Sequence, residues 1–499
     1  MESQVTKSLK STRTHDSAPQ GLLYRLFIKE KLNNPFGYVF ILSLTAVFSA
    51  VIATQGLKSG ILLSAVLIGV PVVFAAMFNL QFGLLLTLVA AFFVLWFKKF
   101  LPGNPPLGLV VDILIGVMFF GMFIRQIRER DWSFLKNPIS LVVLIWIGYN
   151  LLMFFNPEAR SREAWFYTVR GMALFIVLYY ITVYIFNQLK IIERFIKICI
   201  ALSLAAALYG LYQEFAGLPS WELNWLRSDP RLFKLVYQWG KLRIFSFISD
   251  PSTFGILMAY MGMFCLVLAT GPFSALKRWL LFLAGSLMLF SMLYSGTRTA
   301  YVLVPVGLTF YTLLTLNKKV VFMMVIAFLG GTALVMMPTS NPTIYRFQSA
   351  FKPKKDASMN TRLTNQKRIQ PFIQSHPIGG GLGSTGYFGK RFSPGTMLAE
   401  FPPDSGFVRV AVELGWIGLL LYCIFLFVIL RTAISHYVSS VNPKIRVYYL
   451  AFLIMMIAMV VSNYPQDSLV MLPTSIIFYI SLAAIVRLKD YDTDKKLKA

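Results

Sequence analysis

The feature that most limits what this chain can fold into is its series of long apolar runs. A helix that crosses the hydrocarbon core of a bilayer needs about 20 mostly apolar residues. Fourteen such runs are found, at 36–54, 60–79, 80–97, 106–124, 138–154, 165–187, 191–213, 251–270, 276–294, 298–316, 319–337, 406–430, 446–464 and 468–487. The second and third share one apolar stretch, broken by Asn79–Gln81 and Gly83; merging them or treating a pair as re-entrant leaves twelve or thirteen. Backbone in lipid must satisfy its own hydrogen bonds, so the runs form helices. Charged residues are 14% of the 499, too few to cover a water-soluble surface, which sets soluble-enzyme readings aside. The expected fold is an all-α polytopic membrane protein of about 12–14 transmembrane helices with one large outer loop.

The charges give the orientation. Lys and Arg outnumber Asp and Glu by 47 to 21, for a net +26. Most of this excess lies in short segments between spans, which marks loops on the cytoplasmic side rather than a nucleic-acid partner. Both termini then fall in the cytoplasm. The expected layout is a cytoplasmic segment 1–35, N-terminal spans 36–213, an outer loop 214–250, central spans 251–337, a large outer loop 338–405, C-terminal spans 406–487 and a tail 488–499. Lys98–Lys99 is a misfit on the outer side. Met1–Asn34 has no apolar core next to a cleavage site, so the first span is expected to act as its own insertion signal. Cys199, Cys265 and Cys423 all lie within spans and form no disulfide framework or metal motif. No cofactor and no metal site is expected.

The two long outer segments put the work on the outer face. Segment 339–404 carries nine basic residues (Arg346, Lys352, Lys354, Lys355, Arg362, Lys367, Arg368, Lys390, Arg391) against Asp356, Glu400 and Asp404. Long loops translocate largely regardless of charge, so this excess suggests an anionic partner. Ionisable residues inside spans are costly in lipid and mark function by default. Asp112, Arg170, Arg298, Arg409 and Glu413 all lie in the outer half and are expected to line one outward-facing cavity, with Arg409 and Glu413 one helical turn apart.

Short motifs follow in order. Span 8 is entered by Arg243-Ile-Phe-Ser-Phe-Ile-Ser-Asp250-Pro251, and span 10 by Ser295-Gly-Thr-Arg298. The large loop holds Arg362, then Ser375-His376-Pro377-Ile-Gly379-Gly380-Gly381-Leu-Gly383. It ends on Asp404-Ser405, followed by Gly415 and Gly418. The GxGxxG pattern at Gly381–Gly386 follows no buried strand, so it is not read as a dinucleotide site. Over roughly 243–430 this order resembles the O-antigen ligase/polymerase superfamily of bacterial membrane glycosyltransferases. Ligases usually carry His-Asn or His-Ser where this chain has Asp404-Ser405. That leaves a polysaccharide polymerase, or a ligase with a carboxylate in the histidine's place.

The resemblance implies a GT-C-like helical bundle in a bacterial inner membrane. It implies a metal-independent transfer from an undecaprenyl-pyrophosphate-linked glycan, whose lipid enters between spans, onto a glycan or lipid A-core acceptor. Such chemistry must stabilise a charged leaving group and remove a proton from the acceptor. The guanidinium fork suits the first task, and Arg243, Arg298 and Arg362 are the leading candidates, with Arg170 and Arg409 behind them. The base is either Asp404 or His376: Asp404 also suits a helix N-cap, and His376 also suits a turn beside its proline. A lipid-linked glycan flippase is the competing reading, but a flippase rocks two bundles about a midplane site and needs no long basic loop on one side.

Overall fold

The computed structural model describes residues 34–492 apart from 101–106, 172–174, 239, 249, 317, 341 and 352–356. Most of both terminal segments therefore lies outside the described residues, as do Lys352, Lys354, Lys355 and Asp356 of the large loop. Up to Val72 the chain forms one compact unit, comprising α1 (Pro35–Gln55) and the first part of α2 (Leu57–Phe78). From Val73 onward it forms a second unit.

Helical structure occupies every one of the fourteen apolar windows, and the fold is an all-α polytopic membrane protein. Eight helices among the described residues are long and apolar enough to cross a membrane on those grounds alone. The joint between the second and third windows is real: α2 ends at Phe78, and α3 (Leu80–Phe97) starts after Asn79, whose side chain accepts from Phe82 N at 3.1 Å. Then come α4 (Gly108–Glu129) and α5 (Pro138–Leu152). The window at 165–187 is broken into α6 (Arg162–Val169) and α7 (Phe175–Ile185), and α8 (Leu189–Phe215) follows. Segment 214–250 holds α9 (Ser220–Arg227), α10 (Pro230–Val236) and a hairpin of β1 (Tyr237–Gln238) and β2 (Lys241–Leu242). Gly240 turns that hairpin at φ 71°, a conformation that suits glycine.

Three helices form the centre. α11 (Pro251–Ala269), α19 (Pro443–Ser462) and α20 (Thr474–Arg487) are buried on nearly every face. A helix that is apolar all round is one packed inside other helices. α11 contacts α12 (Ala275–Tyr294), α13 (Arg298–Thr315) and α19. Asp250 starts α11 by accepting from Ser252 N and Thr253 N at 2.8 and 3.0 Å, with Pro251 at the first helical position. Gly262 and Gly285 allow α11 and α12 to touch, since a Cβ on Gly285 would sit 2.8 Å from the Gly262 carbonyl oxygen.

After α14 (Lys318–Met336), the large loop folds into α15 (Pro342–Ala350), α16 (Ala357–Ser375) and α17 (Gly386–Phe392). α16 covers Asn360–Gln374, where Leu363, Ile369 and Phe372 give the sequence only a weak helical pattern. One face of α16, Ile369, Phe372 and Ile373, packs on Phe401, Val408 and Val412. The long α18 (Gly406–Ser439) then returns to the bundle.

Candidate active site

The glycine-rich motif of the loop has a structural purpose. α18 is kinked at Gly415, where φ 71° and ψ −178° leave the helical region. The Pro377–Gly383 strand of chain lies in this kink. Gly380 N and Gly381 N donate to Val412 O and Glu413 O at 2.9 and 3.0 Å, and Ile417 N donates to Pro377 O at 3.2 Å. The loop thus supplies the hydrogen bonds that the broken helix lacks. A Cβ at Gly379 or Gly415 would overlap the facing backbone, which explains why these two glycines sit where they do. Glu413 accepts from Gly383 N at 3.1 Å and from Thr385 Oγ1 at 2.5 Å, and Tyr149 Oη donates to Leu414 O at 2.7 Å. The GxGxxG pattern is packed against protein at Ala159 and Thr168 and is no phosphate cradle.

With the loop so fixed, the two long segments meet over one cavity of about 1350 Å³. Arg243, Arg298, Arg346, Arg362 and Asp404 all line it. Among its described lining residues Asp404 alone is acidic. The hairpin delivers Arg243: its N donates to Val236 O at 2.9 Å, and its side chain donates to Ser295 O, Leu235 O and Thr297 Oγ1 at 2.9, 3.2 and 3.4 Å. Arg346 donates from Nη2 to Gln238 O of the same hairpin. Both guanidinium groups press on Gly296, where a Cβ would lie 2.8 Å from Arg346 Nη1 and 3.3 Å from Arg243 Nε. Arg298 Nε donates to Ser349 Oγ at 3.1 Å, three residues after Arg346. Burial first, and then the Arg346 guanidinium beside it, push Arg243 down to about 10. It stays cationic at neutral pH. Burial also lowers Arg346. These two buried cations side by side are partly offset by Asp250 and Glu214, and a bound anion would stabilise them further.

The second long segment is anchored from below by a polar knot. Lys99 Nζ pairs with Glu222 Oε1 at 3.0 Å, and Gln213 Nε2 donates to Glu222 Oε2 at 2.7 Å. Gln213 Oε1 accepts from Phe245 N and Ser246 N at 3.2 and 2.7 Å, which fixes the loop that carries Arg243. The misfit lysine is thereby explained. Lys99 is buried in segment 214–250, its charge answered by Glu222 and by the faces of Trp225 and Phe245.

The structure brings together four of the seven residues singled out from sequence: Arg243, Arg298, Arg362 and Asp404. Asp404 is exposed and is not the helix cap. Ser405 caps α18 by accepting from Val408 N at 3.4 Å, and the Asp404 carboxylate makes no hydrogen bond or ion pair among the described residues. The other three lie elsewhere. His376 stacks on Phe372 with ring centroids 4.0 Å apart, and its Nδ1 is held by Ser375 Oγ at 2.8 Å and Phe372 O at 3.0 Å, so it closes the end of α16. Arg170 pairs with Asp112 at 3.0 Å. Arg409 pairs with Asp467 at 2.9 Å, not with Glu413. The expectation that the five outer-half charges share one cavity therefore holds for Arg298 alone. The other four are engaged within the protein, Arg170 with Asp112, Arg409 with Asp467, and Glu413 with Gly383 and Thr385. Sequence reading passed over Arg346, one of nine basic residues in its loop with no motif around it.

The arrangement is a polytopic helical bundle whose long inter-helix segments and helix ends build a cationic cavity with one carboxylate among its described lining residues. Such a site can bind a polyanionic group through several guanidinium forks while the carboxylate accepts a proton. The O-antigen ligase family model matches residues 283–423 of this chain, a stretch that contains Arg298, Arg346, Arg362, Asp404 and the kinked first part of α18. That match covers part of the chain, and it bears out the resemblance read from the motifs. The match supports, in general terms, a ligase- or polymerase-type membrane enzyme. No curated protein matches it.

Proposed function

We propose that the protein is a metal-independent glycosyltransferase of the bacterial inner membrane. In this reading it moves glycan from an undecaprenyl-pyrophosphate donor onto an acceptor hydroxyl on the outer face, in O-antigen or exopolysaccharide biosynthesis. The observation that carries this is the convergence of Arg243, Arg298, Arg346 and Arg362 with the unengaged carboxylate of Asp404 in one cavity. The acceptor oxygen attacks the anomeric carbon, and the bond from that carbon to the pyrophosphate oxygen breaks. The electron pair leaves with the lipid pyrophosphate. Its growing charge is met by guanidinium groups already in place, which is where preorganised electrostatics lowers a barrier most. The proton of the acceptor goes to Asp404. Of the two candidate bases Asp404 is favoured, because it lines the cavity and His376 does not.

The test is transfer in liposomes without nucleotide. The purified protein receives undecaprenyl-pyrophosphate oligosaccharide with and without a lipid A-core acceptor. A ladder of longer lipid-linked glycans identifies a polymerase, and a single transfer to the lipid A-core identifies a ligase. No product, with labelled lipid crossing the bilayer, would replace this reading by a flippase.

A further inference from the structure

The cavity lining divides by chemistry. Its four arginines come from the hairpin loop, α13, α15 and α16, whereas residues 401–408 and 460–466 contribute no basic side chain. They contribute the Asp404 carboxylate, the Tyr464 ring and the Gln466 amide, with Phe401, Pro402, Phe407 and Pro465 around them. A pyrophosphate gains nothing from this wall and is repelled by its carboxylate. A neutral pyranose fits it, since an aromatic face accepts the apolar face of a sugar ring and an amide pairs with its hydroxyls. Tyr464 is 53% exposed although it follows the buried α19, so its ring is available to a ligand.

Tyr464 and Asp404 are also neighbours by backbone. Gly406 N donates to Asn463 O at 3.0 Å, and a Cβ on Gly406 would overlap the Asn463 side chain. The turn is rigid. Tyr464 N donates to Val461 O at 3.2 Å, Gln466 N to Ser462 O at 3.2 Å, and Asn463 Nδ2 to Tyr422 Oη at 3.0 Å. Arg409 reaches from α18 to Asp467 and closes the tie. We propose that the 463–467 turn is the subsite for the acceptor sugar. Tyr464 is its platform, Gln466 pairs with its hydroxyls, and Arg409–Asp467 is a positioning pair that holds the subsite beside Asp404. Arg409 therefore acts on geometry and not on pyrophosphate.

This inference rests on the glycosyltransferase reading, and the experiment separates the two. Initial rates are measured in proteoliposomes with saturating undecaprenyl-pyrophosphate oligosaccharide and varied free oligosaccharide as acceptor. Y464A is expected to raise the acceptor KM about tenfold, within the range of a truncated aromatic anchor, with kcat little changed. Y464F is expected to recover most of the loss. Inorganic pyrophosphate should raise the Tm of Y464A as much as that of the wild type, which reports an intact fold and arginine cluster. An unchanged acceptor KM in an active Y464A enzyme would overturn the subsite, as would loss of the pyrophosphate response in place of a KM change. Absence of transfer by the wild-type protein would overturn the glycosyltransferase reading itself.

Discussion

Breaking the Arg409–Asp467 pair should destabilise the junction between α18 and the 463–467 turn. The two side chains keep only 14% and 13% of their exposure. Removing one partner of a buried pair costs about 3–5 kcal/mol, because the charge left behind has lost both water and its counter-ion. The two single losses are unequal here. In D467L, Arg409 still has the Glu413 carboxylate one turn away, and the cost falls near the lower end, about 3 kcal/mol. In R409M, Asp467 loses its one ion-pair partner among the described residues, and the cost is near the upper end, about 5 kcal/mol. The double variant R409M/D467L removes both charges and replaces them with apolar volume, so it should fall within about 2 kcal/mol of wild type. The assay is a double-mutant cycle on unfolding free energies from denaturant titration in mixed micelles. A cost below about 1 kcal/mol for R409M, or additive single variants, would refute the reasoning.

Other expectations follow from the same contacts. G415A should fail to fold or lose several kcal/mol, because a side chain at φ 71° is strained and its Cβ overlaps the Pro377 carbonyl; near-native stability of G415A would contradict the kink. Inorganic pyrophosphate should raise the Tm of the wild type, and R298Q and R346Q should each cut that rise by half or more, read by thermal unfolding in detergent. H376Q should keep kcat within about threefold of wild type because His376 lies off the cavity, and a loss of 10²-fold would restore it as the base. E222Q should destabilise by about 3 kcal/mol or more by stranding Lys99, seen in the same titration, and E222Q/K99M should recover much of the loss.

The sequence made the membrane helices legible because hydrophobic length is a local property. Even the weak joint at Asn79 was visible as one polar break in an apolar run. The helix over Asn360–Gln374 was faintly visible too, as a weak helical pattern of Leu363, Ile369 and Phe372. Candidate arginines were legible where a motif accompanied them, as at Arg243 and Arg298. Pairing was not. Arg170 and Arg409 look like ligand-binding cations when only the neighbouring sequence is read, and their partners Asp112 and Asp467 lie 58 residues away in each case. The nearer partner for Arg409, Glu413, was claimed instead by Gly383 and Thr385, through a helix kink that no local pattern announces. Arg346 was hidden for the opposite reason. It sits in a loop so rich in basic residues that nothing set it apart until the hairpin and Gly296 closed around it.

The most direct measurement of the central claim is single-turnover release of undecaprenyl pyrophosphate from a labelled lipid-linked oligosaccharide, with D404N alongside the wild type. The account predicts that the wild type releases one lipid pyrophosphate per glycan transferred. It predicts that D404N still responds to pyrophosphate in thermal unfolding but transfers at least about 10²-fold more slowly, the usual scale for loss of a general base. Transfer by D404N at the wild-type rate, or hydrolysis of the donor without any glycan reaching an acceptor, would contradict it.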